Sequence, residues 1–233
     1  MDKLLNTYEF ENKIRLGSNN DGGYVIGELG NIYDCYISCG VSNEESFSRD
    51  FIIRYNMNEY NSFAFDGTIE HYPYNYTRNI SYIKKNISNY NNQYNTDLTY
   101  LLKNYKNIFI KMDIEGGEYA WLLDLDEKLL ENVMQIVIEF HGINGDGWSA
   151  NYEEKVICIN KLLKSHYIIH AHGNNNVGTT NKIPDVIELT FINKKYFKEA
   201  PKLNKSPLPN SILDNVNNIN LKEIDLNFPP FVN

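Results

Sequence analysis

A chain of 233 residues is long enough to enclose a continuous apolar core, and 42% hydrophobic with 22% charged residues is a globular composition. No apolar run approaches the roughly 20 residues that a membrane-spanning helix requires, and residues 1–12 alternate charge with apolar side chains instead of forming a secretory signal. A net charge of −8 with no cluster of Lys and Arg excludes the footprint of a nucleic-acid binder. The expectation is a soluble, cytoplasmic protein, one domain over 1–233, with a small-molecule partner, no nucleic-acid or membrane partner, and room for homo-oligomers. Cys35, Cys39 and Cys158 are odd in number and suit a reducing compartment better than a disulfide framework.

Residues 1–33 are expected to form an N-terminal flap, with Asn20-Asp21-Gly22-Gly23-Tyr24 placed to fold over a site; a hairpin turn at Asp21-Gly22 explains the same residues without function. From residue 34 onward, β-branched and aromatic runs alternate with longer helical or polar stretches, the pattern of a mainly parallel sheet with crossover connections. Strands are predicted over 34–39, 62–65, 80–83, 108–113, 135–140, 167–172 and 185–192, the last two joined as an antiparallel edge hairpin. Helices are predicted over 44–55 with an N-cap from Ser42 or Asn43, and over 96–104, 118–131 and 152–165. Residues 86–95 read as an exposed polar connector, and 201–233 as an irregular C-terminal arm. The fold class is α/β: Rossmann-like, doubly wound, seven-stranded and mainly parallel.

In such a sheet, ligands sit beyond the carboxyl ends of the strands where strand order reverses. The first predicted strand ends in Ser38-Cys39-Gly40-Val41-Ser42, so Gly40, Val41 and Ser42 are candidates for holding a cofactor, although a tight strand-to-helix turn alone also favours glycine. Asp66 closes the second strand, where a carboxylate can accept from both hydroxyls of a ribose. The stretch Lys111-Met112-Asp113-Ile114-Glu115-Gly116-Gly117-Glu118-Tyr119 delivers carboxylates and two glycines at a strand end. Such carboxylates can raise one another's pKa, take a proton or hold a divalent cation. The neighbouring strand end, Glu139-Phe140-His141-Gly142, adds Glu139 and His141, which with Asp113 form a candidate catalytic and metal-ligating set, or simply hydrogen-bonded neighbours. His172, Asn174 and Asn175 end the next strand with groups suited to sugar hydroxyls.

Together these motifs resemble the FkbM-type methyltransferases. The carriers are residues 20–26, 36–51 and 111–119, then 139–142, 172–175 and 186–190, with Asp113-Ile114-Glu115-Gly116-Gly117-Glu118 the most specific block. The resemblance implies S-adenosylmethionine as cofactor, with Asp21 and Gly22 joining Gly40, Val41, Ser42 and Asp66 around it. It implies an acceptor hydroxyl on a sugar or nucleotide-activated sugar, for surface glycan biosynthesis, near Tyr24, Glu115, His172, Asn174 and Asn175. Asp113 is the first choice for the proton or a cation, with Glu139 and His141 beside it. Gly40 standing alone departs from the usual methyltransferase glycine motif. Two other readings remain at this point: a nucleotide-sugar glycosyltransferase, for which Asp124-Leu125-Asp126 is the one Asp-x-Asp pair but is predicted inside a helix, and a non-catalytic ligand-binding module.

Overall fold

The apolar runs form the strands their composition favours, and the order in which they pair places the site. The computed structural model describes residues 1–233, the Asp2 side chain excepted. An N-terminal hairpin of β1 (Lys13–Leu16) and β2 (Tyr24–Gly27) precedes β3 (Cys35–Cys39), α1 (Ser46–Tyr55), β4 (Ser62–Phe65) and β5 (Ser81–Ile83). Two short strands, β6 (Asn86–Ile87) and β7 (Asn95–Thr96), lead into α2 (Thr99–Asn104) and β8 (Ile108–Met112). Then come α3 (Gly117–Asp124), β9 (Val133–His141), α4 (Tyr152–Ser165) and β10 (His166–Gly173). A small ladder of β11 (Thr179–Thr180) with β12 (Ile183–Pro184) and the strand β13 (Val186–Asn193) complete the set.

The main sheet has seven strands in the order β10-β13-β9-β8-β3-β4-β5. Pairs from β9 through β5 are parallel, whereas β13 runs antiparallel to both β9 and β10, so the antiparallel edge lies where the sequence placed it. The chain leaves β3 in one direction to build β4 and β5, then returns to build β8 and β9 on the other side. The β3/β8 boundary is therefore the switch point. One face of the sheet carries α1 and the hairpin over an aromatic core of Tyr33, Tyr36, Phe47, Phe51, Tyr55 and Phe109. The other face carries α3 and α4, with Trp121, Tyr119, Phe140 and Leu162 at its centre, and Leu208, Leu226 and Phe231 of the C-terminal arm complete that core.

Several expectations change in detail. Helix α1 begins at Ser46, not Glu44, because Ser42 takes a left-handed φ of 49° and Glu45 turns inward, accepting from Ser38 Oγ at 3.1 Å and Tyr72 Oη at 2.8 Å. Helix α2 starts late, after β7, where Asp97 Oδ1 accepts from the Thr99 amide. The helix expected over 118–131 breaks at Leu125, whose backbone is extended. A 3-10 turn, Glu127–Asn132, then starts under a cap from the Asp126 side chain. Residues 86–95 are not only a connector, since β6 and β7 pair in parallel across them. The Asp21-Gly22 pair belongs to a loop over 17–23, longer than a two-residue hairpin turn. The three cysteines are free and buried, two of them on β3. Among the described residues no helix is long and apolar enough to cross a membrane.

Candidate functional site

Beyond the carboxyl ends of β3, β4 and β8, a cleft of about 640 Å³ opens at the switch point. Its lining includes Asp21, Gly22, Tyr24, Gly40, Val41, Ser42, Asp66, Asp113, Glu115 and Ser149. That volume lies within the range of roughly 300–1,000 Å³ typical of small-molecule sites.

The floor is set by Gly40. Its φ is +80°, and a Cβ there would stand 1.7 Å from the Asp113 backbone oxygen, so the glycine is required by the close approach of two strand ends and not only by a ligand. The Asp113 amide in turn donates to the Cys39 oxygen at 3.0 Å, which ties the two ends together. Asp66 holds the following turn: its Oδ2 accepts from the Val41 and Ser42 amides at 3.0 and 2.9 Å, and its Oδ1 accepts from Thr68. Burial alone would raise the Asp66 pKa, but these donors outweigh it and hold the carboxyl below its ordinary value. Asp66 thus lines the cleft with a carboxyl whose existing bonds shape the turn after β3. Gly22 has a φ of +92° and sits against the Glu44 side chain.

Above this floor, strand register assembles a polar row. Met112 lies opposite Ile138, Glu139 opposite Glu188, and Glu188 opposite His172, so Asp113, Glu139, Glu188 and His172 follow one another across four strands. Asp113, Glu139 and His141 each offer a ligand atom within 4.8 Å of the others. His141 is buried: its Nε2 lies 3.4 Å from Glu115, 3.7 Å from Glu139 and 4.0 Å from Asp113, while its Nδ1 lies 3.2 Å from Glu118 Oε1. Burial works against a charged imidazole, but Glu118, Asp113 and Glu115 together raise the His141 pKa. Burial, reinforced by Asp113 and Glu188, raises the Glu139 pKa well above its ordinary value. Asn174 donates to Glu139 Oε1 at 3.0 Å, whereas Glu139 Oε2 is buried without a partner. Tyr24 donates to Asp113 Oδ2 at 3.1 Å, and burial beside these carboxylates raises its own pKa well above 10. Asp21, at the rim, has its pKa raised by burial and by Asp113 and Glu188.

Two residues expected at the acceptor are placed elsewhere. His172 is buried between Glu188, 3.4 Å from its Nδ1, and Glu223 of the arm, 3.3 Å from its Nε2. Asn175 donates to the Asn218 oxygen at 2.9 Å and accepts from the Asn218 amide at 2.8 Å. Both fasten the C-terminal arm, Asn175 through both atoms of its amide and His172 through Nε2, while His172 Nδ1 faces Glu188 of β13. Three residues had no role in the sequence reading. Lys111 lies buried on β8 and donates to the Gly40 oxygen at 2.8 Å, 4.0 Å from Asp113 Oδ2. Glu118, fully buried, orients His141, and Glu188 accepts from Asn217 at 2.9 Å. The signal for Lys111 and Glu188 was a single charge inside an otherwise apolar strand, which persists only when paired.

The site therefore joins a glycine-floored cleft of cofactor size to a buried acid and imidazole cluster. Neither the comparison with curated proteins nor that with solved structures gives a match. A family model described as the methyltransferase FkbM domain matches residues 8–197, which contain the whole sheet and every residue of the cluster. The chain belongs to the FkbM methyltransferase family.

Proposed function

We propose that this methyltransferase uses S-adenosylmethionine to methylate a hydroxyl of a sugar or nucleotide-activated sugar, in the building of a surface glycan. The observation that carries the reading is the Asp113, Glu139 and His141 cluster standing beside the Gly40 cleft at the switch point. The adenosyl group lies along Gly40, Val41, Ser42 and Asp66, under Asp21 and Gly22 of the N-terminal loop. The carboxylates of Asp21, Asp113 and Glu115 favour a cationic sulfonium. S-adenosylmethionine would supply the methyl group and leave as S-adenosylhomocysteine, and the Asp113 carboxylate would take the proton that the acceptor hydroxyl gives up. Tyr24 fixes Asp113 by its hydrogen bond, and Glu115 and Asn174 stand where acceptor hydroxyls can be read.

Asp113, Glu139 and His141 also suit a divalent cation, since the set combines carboxylate and imidazole donors and leaves a buried, unpartnered oxygen on Glu139. Such an ion would lower the pKa of an acceptor hydroxyl. Calorimetric titration with S-adenosylmethionine, S-adenosylhomocysteine, NADH and nucleotide sugars, with and without magnesium or manganese, tests the reading. Binding of both adenosyl ligands, with a nucleotide sugar adding to the binary complex, is expected. Uptake of a nucleotide sugar alone would overturn it, and no binding at all would leave a non-catalytic module.

A further inference from the structure

The loop after β9 carries an exposed aromatic side chain next in sequence to Ser149, which lines the cleft. Trp148 is 47% exposed, one of only two tryptophans in the chain, while Trp121 is fully buried with its Nε1 donating to the Asp97 oxygen. The indole rests on two glycines, Gly142 directly after β9 and Gly116 at the N-cap of α3. A Cβ on Gly142 would stand 2.2 Å from Trp148 Cδ1, and a Cβ on Gly116 would stand 3.1 Å from Trp148 Cβ and Cε3. Gly116 and Gly142 also have φ of +92° and +60°, so neither position admits a side chain without strain or collision. Trp148 and Ser149 themselves take left-handed φ values of 51° and 67°, a backbone arrangement that L residues adopt only at a cost. Its ring centre lies 5.1 Å from that of His141, and Ser149 lines the cleft. Two glycines of the strand-end motifs and two left-handed residues thus combine to hold a half-bare indole against the catalytic imidazole.

We infer that Trp148 is the platform on which the acceptor's sugar ring docks, the indole face away from His141 meeting the C–H face of a pyranose while the hydroxyls at the ring's edge turn toward the cleft that Ser149 lines. The inference rests on the sugar-acceptor reading and adds the residue that receives the apolar face of the sugar ring. The electron-rich indole face attracts weakly positive C–H groups, and a flat apolar surface beside carboxylates matches a molecule with one apolar and one hydroxylated side. Docking of this kind contributes equally to ground and transition states, so it acts on KM and not on kcat.

The test uses the full chain loaded with S-adenosylhomocysteine and a panel of UDP-glucose, UDP-N-acetylglucosamine, GDP-mannose, dTDP-rhamnose and the corresponding methyl glycosides. Tryptophan emission is followed alongside calorimetry, since Trp121 gives a constant background. The expected result is a change of emission on binding of at least one panel member. Trp148→Leu should then weaken that ligand, or raise its KM in turnover, by about tenfold with kcat unchanged, and Trp148→Phe should restore most of the loss. Thermal unfolding of each variant guards against misfolding. A panel member that binds without altering emission, or that binds Trp148→Leu as tightly as wild type, overturns the platform and leaves the sugar reading standing. Binding by none of the panel overturns the acceptor class and the platform together, and failure to load S-adenosylhomocysteine overturns the methyltransferase chemistry on which both depend.

Discussion

Asp113 carries several demands at once, and its neighbours show how they are met. Its backbone oxygen occupies the space a Gly40 side chain would need, its Oδ2 accepts from Tyr24, and its Oδ1 faces His141. Asp113→Asn keeps the shape and removes the proton acceptor. It should lower kcat by about 10²- to 10⁴-fold while S-adenosylhomocysteine affinity, measured by calorimetry, stays within a few-fold of wild type. Gly40→Ala tests the other side of the same junction. A methyl placed 1.7 Å from a backbone oxygen, at φ +80°, must push Asp113 away or unwind the turn, so a loss of roughly 1–3 kcal/mol is expected in denaturant unfolding, together with weakened cofactor binding. Binding unchanged at full stability would show that the strand ends are free to separate. The sequence made Gly40 and Asp113 legible as individual candidates. It could not show that one excludes a side chain at the other, because that depends on the register of β3 against β8, which pairs Cys39 with Met112.

At the level of elements, the central parallel strands were readable because β3, β8 and β9 are runs of apolar residues buried on both faces, as a central parallel strand must be, whereas their order across the sheet depends on tertiary pairing. The N-terminal hairpin was foreseen only as an alternative at Asp21-Gly22, and its strands were not assigned: Lys13–Leu16 and Tyr24–Gly27 are short, and they are fixed by tertiary bonds, from Gln135 to both backbone groups of Gly27 and from Thr190 to the Val25 oxygen. The roles of His172 and Asn175 were hidden for a similar reason, since their partners lie more than forty residues away, in an arm with almost no regular structure. That docking has a pH signature. Burial alone would lower the His172 pKa, but Glu188 and Glu223 outweigh it and raise it well above 6.5. The native state therefore holds a proton that the unfolded chain releases near pH 6.5. The resulting stabilisation is complete below that pH and is lost as pH rises through the raised native value. His172→Gln should be less stable than wild type at pH 6, and the gap in urea midpoint should close as the pH is raised. A gap independent of pH would mean that His172 serves the arm by shape alone.

Across the whole molecule, the cleft is enclosed by segments that are distant in sequence: the loop over 17–23, the ends of β3, β4 and β8, and the loop carrying Ser149. A ligand held by all of them binds the folded chain and not the unfolded one, so it should stabilise the protein as a unit, by about 2.7 kcal/mol at a hundredfold excess over Kd. S-adenosylhomocysteine is expected to raise Tm in this way in wild type and in Asp113→Asn alike, since the adenosyl contacts proposed above lie on the Gly40 side of the cleft. Magnesium or manganese should behave differently. Burial, reinforced by Asp113 and Glu188, raises the Glu139 pKa well above its ordinary value, and a cation relieves that penalty only if Asp113, Glu139 and His141 take it up together. The expected pattern in thermal unfolding is a cation-dependent rise in Tm for wild type that disappears in Asp113→Asn and Glu139→Gln. Glu139→Gln, relieved of a buried acid, should also be more stable than wild type in chelator at neutral pH. An equal response to the cation in all three proteins would place the ion elsewhere on this acidic chain and leave proton transfer to Asp113 without metal assistance.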